Sequence, residues 1–268
     1  MMESHIPTPK LTYGAALPVA HRRELAAEVA VALSYNGSTQ AVMMATPDDL
    51  LDFAYGFSLT EGLANPDQIE SVEVVQTCAG IDVQIWVDPV AQSKLAARRR
   101  MMAGPVGCGL CGIDSLEQAI REPAPVVATL SMTPKEIRSA ISDLTAHQPL
   151  HDTTRAAHGA AFWVPGRGIV CAREDVGRHN ALDKLAGALV RNPVGSGAVI
   201  ITSRVSIDIV QKCAAMGVPI LIAVSAPTAA AVEMADAAGI TLIANARPDR
   251  FDAYTHLDRI IAGVQNVA

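Results

Sequence analysis

The strongest constraint on the fold lies in the last third of the chain. Three short apolar runs, at residues 198–202, 219–224 and 240–244, alternate with helical patterns at 207–216 and 229–238. Continuous apolar runs of this length suit strands buried on both faces. Their alternation with helices implies parallel strands joined by right-handed crossovers. Upstream, residues 160–164 and 169–172 flank Pro165-Gly166-Arg167-Gly168 and read as a hairpin on the same sheet. Half of the 268 residues are hydrophobic but only 4% are aromatic, so Ala, Val, Leu and Ile must build the cores.

The first half has a different rhythm. Residues 28–35 and 39–45 read as strands around Asn36-Gly37, a strong hairpin signal. In Thr46-Pro47-Asp48-Asp49, Thr46 suits an N-cap and Pro47 the first helical position, predicting a helix to about Glu61 with Gly62 as its stop. A second hairpin is expected from residues 71–77 and 81–87, then a helix over 92–102 closed by Gly104. Asp114-Ser115-Leu116-Glu117 reads as a capping box opening a short helix, and Thr133-Pro134-Lys135-Glu136 as a second one opening a helix to about His147. The break at Glu122-Pro123-Ala124-Pro125 divides the chain into a smaller α+β domain, residues 1–125, and an α/β domain, residues 126–268.

The chemistry centres on Gly107-Cys108-Gly109-Leu110-Cys111-Gly112. Glycines leave the two sulfurs unshielded and let the backbone turn sharply. Thiolate is the reactive form, favoured by nearby positive charge or a helix N-terminus. Asp114 opens a helix just downstream of Cys111, and Arg98, Arg99 and Arg100 lie upstream, although a solvated helix end accounts for the arginines equally well. The other cysteines are Cys78, Cys171 and Cys213, and no second pair with this spacing exists to complete a zinc site by sequence alone. Neither His-x-Glu nor Pro-Cys-x-x-Cys occurs, which disfavours zinc-dependent deamination. The pair does not sit between a first strand and helix, which weakens a thioredoxin-like reading. On the residues alone, metal binding, disulfide exchange and sulfur carriage stay open.

A net charge of −6 argues against general nucleic-acid binding. Met1 to Lys10 lacks an apolar run, and no apolar stretch is long enough to span a bilayer. The expected compartment is the cytoplasm, where thiols stay mostly reduced.

Arg173-Glu174-Asp175-Val176-Gly177-Arg178-His179-Asn180-Ala181-Leu182-Asp183-Lys184 follows a strand and reads as a polar site at its carboxyl end, with Asn180 and Asp183 marking a helix start. A charged surface loop is the competing reading. The parallel strands end in Ser203-Arg204-Val205-Ser206, Ser225-Ala226-Pro227-Thr228 and Asn245-Ala246-Arg247-Pro248. Open α/β sheets bind ligands beyond such ends, and helix N-termini suit phosphate, so a nucleotide site is expected there. Capping alone explains Ser206 and Thr228. No Gly-x-Gly-x-x-Gly or Walker motif is present. His158, just before a strand, is a better site candidate than His151.

Taken in order, the Asn36-Gly37 hairpin, Thr46-Pro47-Asp48-Asp49-Leu50, Gly56-Phe57, Thr60-Glu61-Gly62, the cysteine loop, His158, the polar block and Ser225-Ala226-Pro227-Thr228 resemble the formate dehydrogenase accessory sulfurtransferase family (FdhD). The resemblance spans nearly the whole chain. It implies a C-terminal three-layer domain of cytidine-deaminase type with a mixed sheet, lacking deaminase zinc chemistry. It implies a sulfurtransferase, weak as a stand-alone enzyme: persulfide sulfur passes from a cysteine desulfurase to Cys108, with Cys111 as partner thiol. The sulfur then goes to the molybdenum bis(molybdopterin guanine dinucleotide) cofactor, bound as substrate, before its insertion into the formate dehydrogenase catalytic subunit. The family's cofactor-binding segment maps to Ile243, Ala244, Asn245, Ala246, Arg247 and Pro248, joined by Arg204, Ser225, Arg178, His179 and His158. No permanently bound metal is expected, and a homodimer is. The competing function is a molybdopterin- or guanine-nucleotide-binding chaperone whose cysteines grip metal. Three stretches depart from the family: Thr154-Arg155-Ala156-Ala157-His158 replaces Thr-Gly-Gly-x-His, Thr202-Ser203-Arg204 replaces Ser-Gly-Arg, and Ala244-Asn245-Ala246-Arg247 replaces Gly-Phe-x-Arg.

Overall fold

The computed structural model describes residues 2–13, 19–101, 123–127 and 129–261, with the backbone alone at 98–101. Cys108, Cys111, Gly104 and the capping box at Asp114 lie outside the described residues, as do the side chains of Arg98, Arg99 and Arg100.

The N-terminal portion is β-rich. Strands β1 (His5–Thr12) and β2 (Val19–Ala26) form an antiparallel ribbon that the sequence reading missed. Pro7 and Pro9 argue against an interior strand, but in a two-stranded ribbon every strand is an edge and tolerates them. The predicted hairpins are present: β3 (Val29–Tyr35) with β4 (Ser38–Ala45), and β5 (Ile69–Thr77) with β6 (Gly80–Val87). The four strands lie in the order β4-β3-β6-β5, with β3 parallel to β6. Asn36 and Gly37 both take positive φ, 47° and 78°, the left-handed geometry that matches a tight hairpin to the twist of its strands. The Asn36 side chain also donates to Val87 O and accepts from Val87 N–H, fastening the turn to β6.

Helix α1 (Leu50–Thr60) covers the inner face of this sheet, packing Phe53 and Phe57 against Leu33, Tyr35, Val83 and Ile85. Its start corrects the sequence reading. Thr46 is not its cap, and the helix begins only after Asp49, which sits at φ 54°. Thr46 is engaged elsewhere: its N–H donates to Asp175 Oδ2, its hydroxyl accepts from Val176 N–H, and its carbonyl accepts from Lys184 Nζ. Gly62 takes the positive φ, 65°, expected of a helix stop. Helix α2 (Pro89–Met101) starts three residues earlier than expected, because Asp88 Oδ1 accepts from Ala91 N–H and Pro89 stands at the first helical position.

The C-terminal portion is mixed α/β. Helix α3 (Pro134–Leu144) carries the predicted reciprocal capping box between Thr133 and Glu136. A short helix, α4 (Pro149–Thr154), leads into β7 (His158–Val164) and β8 (Gly168–Asp175). Helix α5 (Arg178–Arg191), β9 (Ala198–Ile201), α6 (Ile207–Ala215), β10 (Ile220–Ala223), α7 (Ala229–Ala237), β11 (Thr241–Ala244) and β12 (Asp252–Ala253) follow. The sheet order is β12-β11-β10-β9-β7-β8. Strands β9, β10 and β11 are parallel as predicted, and the β7–β8 hairpin joins the same sheet through antiparallel β7–β9 pairing.

Both faces of this sheet are covered. Leu182 and Leu185 of α5, Ile209 and Cys213 of α6, and Ala231 and Ala235 of α7 pack on one side against Phe162, Val199, Leu221 and Leu242. Ile137, Ala140 and Ile141 of α3 pack on the other against Trp163, Ile200, Ile222 and Ile243. Burial on both faces is why these strands read as unbroken apolar runs.

Asn180 and Asp183 do not start α5; they lie inside it, after Gly177 at its N-cap. Asp183 accepts from Thr60 of α1, and Asn180 donates to Met44 O of β4. At the α1–α5 crossing a Cβ on Gly56 would stand 1.7 Å from Asp183 O and one on Gly187 would stand 1.8 Å from Asp52 O. The two glycines therefore let the helix backbones touch. Polar groups surround the crossing. Arg173 and Arg191 both donate to the buried Asp52, at 2.7 Å and 2.5 Å. Asp175, wholly buried, accepts from Lys184 Nζ, Asn180 Nδ2 and the N–H groups of Thr46 and Gly177. A buried carboxylate is tolerable only with this degree of satisfaction.

Candidate functional site

The topology gathers the predicted cofactor-binding residues along one edge of the six-stranded sheet; the predicted catalytic pair, Cys108 and Cys111, lies outside the described residues. Strand β7 runs antiparallel to β9, so its first residue, His158, lies level with the carboxyl ends of its neighbours. His158 pairs with Asp175 at the end of β8, and Thr202 N–H donates to Gly159 O. The connections beyond β9, β10 and β11 stay in register: Val205 bridges Pro227, Asn245 N–H donates to Ser225 O, and Ala246 N–H donates to Ala223 O. Arg178 and His179, in the first turn of α5, follow directly from the end of β8. The edge thus carries helix N-termini and basic side chains together, the arrangement that attracts an anionic group.

Within the segment from Ile243 to Pro248, placement divides the residues. Ile243, Ala244 and Ala246 are fully buried in the two cores, so only their backbone can meet a ligand. Asn245 adopts φ 51°, and its amide donates to Asp252 Oδ2 and Tyr254 Oη. Arg247 is exposed yet braced, with Nη1 donating to Val224 O at 2.5 Å and Ala246 O at 2.8 Å, which ties the ends of β10 and β11. Pro248 and Arg204 are exposed, and Ser225 is half-buried. Thr228 caps α7 through its hydroxyl, whereas the Ser206 hydroxyl makes no capping bond to the α6 backbone.

The electrostatics of the edge are set by close basic groups. Burial, and then the charges of Arg178, His151 and His179, push His158 below the ordinary histidine range. Arg178 Nε is buried without a hydrogen-bond partner among the described residues. His179 Nε2 contacts Asp208 Oδ2 of α6, a residue the sequence reading did not single out. Burial opposes ionisation of Asp208, but the hydrogen bond and charge of His179, with the Ser206 hydroxyl, hold its carboxyl well below the usual range.

The rest of the polar block serves packing. Arg173 and Asp183 bond to α1, Asp175, Asn180 and Lys184 bond to one another and to Met44 and Thr46 just before that helix, and Glu174 accepts from the N–H groups of Leu150 and His151 at the start of α4. Neither a uniform polar site nor a surface loop describes the block. The first departure from the family motif also has a place: Arg155 sits at φ 59°, a left-handed conformation that glycine adopts without strain.

The remaining thiols are poor nucleophiles where they are enclosed. Burial pushes Cys213 up to about 12. Burial also raises Cys171, partly offset by Arg173. An apolar cavity of about 300 Å³, lined by Leu59, Phe162, Leu189, Val194, Met216 and Val218, opens at the opposite, amino-terminal edge of the sheet and carries no titratable side chain. Among the described residues no three His, Cys, Asp or Glu side chains are grouped to hold a metal ion, and no helix is long and apolar enough to cross a membrane.

Comparison with known proteins matches this chain and its fold to one family. A sulfur carrier protein from Agrobacterium fabrum is 51% identical over 249 residues, covering 91% of this chain and 92% of the relative. A sulfur carrier protein from Cupriavidus necator is 48% identical over 240 residues, covering 88% and 83%. A crystal structure from Desulfotalea psychrophila, assigned to the formate dehydrogenase accessory proteins, superposes with a TM-score of 0.78 at 26% identity and covers 97% of this chain and all of that one. The FdhD/NarQ family model matches residues 26–261. The chain belongs to the FdhD/NarQ family.

Proposed function

We propose that this protein is a sulfur carrier of the cytoplasm, a sulfurtransferase that takes persulfide sulfur from a cysteine desulfurase and delivers it to a molybdenum bis(molybdopterin guanine dinucleotide) substrate destined for formate dehydrogenase. The observation that carries the reading is the convergence of Arg178, His179, His158, Arg204, Ser225 and Arg247 on one sheet edge in a chain that shares family and length with sulfur carrier proteins. That edge offers backbone N–H groups and positive charge to the diphosphates of such a substrate. Residues 1–125 and 126–268 serve as two domains, the second of cytidine-deaminase type, and the protein acts as a homodimer.

The chemistry follows from the thiols. Cys108 thiolate attacks the outer sulfur of the desulfurase persulfide, and the desulfurase cysteine leaves as thiolate. Attack of Cys111 thiolate on Cys108 Sγ then releases hydrosulfide to the substrate metal and leaves a Cys108–Cys111 disulfide, which an external dithiol reduces. Burial holds Cys213 and Cys171 as thiols, and the exposed Cys78 has no second cysteine near it in sequence, so the closely spaced Cys108 and Cys111 are the suited pair.

Intact-mass measurement after incubation with desulfurase and cysteine tests this directly. Gain of one sulfur by the wild type, lost in Cys108→Ala, is the expected result. Equal uptake by Cys108→Ala would overturn the assignment, and stoichiometric zinc lost on Cys111→Ser would favour a metal-gripping chaperone instead.

A further inference from the structure

Helices α5 and α6 are joined by two ion pairs one turn apart and of opposite polarity. In the inner pair the acid is on α5: Asp183 accepts from Lys212 Nζ at 2.9 Å, and Thr60 Oγ1 and Glu61 Oε1 of the α1 end close the cluster. Burial opposes charge on Lys212, but Asp183 and Glu61 hold it protonated well above the usual lysine range. This pair is buried and internally satisfied, so it serves the seam. In the outer pair the base is on α5: His179 meets Asp208, with 19% and 25% of their side chains exposed.

Stability alone does not set the polarity of the outer pair. His179 favours the ionised Asp208 carboxylate and so contributes to stability, but basic residues in a first helical turn run against the helix dipole. Yet α5 begins with two of them, Arg178 and His179, at the edge where the strand ends converge. Asp208 stands in the first turn of α6, where the dipole favours an anion. The arrangement makes sense if the imidazole has work to do outside the helix pair. In the imidazolium form both ring nitrogens are donors, so with Nε2–H directed at Asp208 the Nδ1–H is the donor available to an anion.

We propose that Asp208 is a positioning residue: it holds the His179 ring by Nε2 so that Nδ1 is presented to the diphosphate of the nucleotide substrate at the carboxyl edge. The inference rests on the nucleotide-site reading above. It gives the inner and outer pairs separate duties, one joining the two halves of the chain and one orienting a ligand contact.

A double-mutant cycle on the full chain tests it, with guanosine diphosphate as the probe and calorimetry as the readout. Asp208→Ala and His179→Ala are each expected to weaken binding about tenfold, the size of one lost hydrogen bond to a charged group. The double variant is expected to bind no more weakly than His179→Ala, and Asp208→Glu to recover part of the loss. Should Asp208→Ala fail to fold, Asp208→Asn enters the same cycle. Losses that multiply in the double variant, or an Asp208 variant that binds like wild type, would overturn this inference alone. A wild type that does not bind guanosine diphosphate would overturn the nucleotide-site reading and the inference with it.

Discussion

The α1–α5 seam and the carboxyl edge of the six-stranded sheet draw on the same dozen residues, from Arg173 to Lys184, and use them in opposite ways. In the seam Asp175, Asn180, Asp183 and Lys184 are buried, each saturated with partners from distant parts of the chain. At the edge Arg178 Nε is left without a partner among the described residues, and His179 meets Asp208 through Nε2. A saturated polar cluster rigidifies; an unsaturated one can take a ligand. Residues that alternate around one helical turn are thereby divided between architecture and recognition.

The sharpest way to break this comparison is at its buried ion pair. Lys184→Met leaves Asp175 buried without its cation and is expected to cost about 3–5 kcal/mol, measured by urea unfolding. A cost near zero would show that the seam is wet and that the contrast is false. Gly187→Ala should cost about 2–3 kcal/mol, because the new Cβ meets Asp52 backbone and the helices must separate. A gain in helix propensity with no loss of stability would mean that the close crossing is absent.

Arg155→Gly should act the other way, adding about 0.5 kcal/mol by relieving a left-handed conformation at φ 59°. Thermal unfolding of the two proteins under identical conditions decides it, and a lowered midpoint would contradict the strain reading.

At the edge, His158 gives a pH signature. Its folded-state pKa lies below the ordinary 6.5, so the native state favours the neutral ring. The contribution is therefore full above the unfolded value and is lost as pH falls through the lower, folded value. Wild type should lose stability on acidification from pH 6.5, and His158→Gln should flatten that slope. Identical slopes would remove the electrostatic crowding by Arg178 and His179. The smallest stability effect is expected for exposed Arg204→Ala, within about 0.5 kcal/mol, together with weaker binding of guanosine diphosphate. Unchanged affinity by calorimetry would take Arg204 out of the edge.

Much of the fold was legible residue by residue. The Asn36-Gly37 turn, the Thr133–Glu136 capping box, the Gly62 stop and the apolar runs of β9, β10 and β11 each declare themselves through backbone sterics, local hydrogen bonds or burial on two faces. The convergence at the edge was also legible, because parallel strands must end together and the hairpin register brings His158 back to them. The ribbon of β1 and β2 was not, since it has no buried face to impose alternation.

What the sequence by itself determined, then, is the local elements, the parallel sheet and the list of basic residues at its carboxyl end. Only the tertiary structure decided which polar residues are architecture. Thr46 looked like a helix cap and instead meets Asp175, 129 positions away. Asn180 and Asp183 looked like a helix start and instead bond to Met44 of β4 and Thr60 of α1, and Asp208 gained meaning only beside His179. Local signals record what a residue can do within a turn or two of chain. A polar side chain's actual partner is set by packing that brings together segments more than a hundred residues apart, and no periodicity in the sequence carries that information.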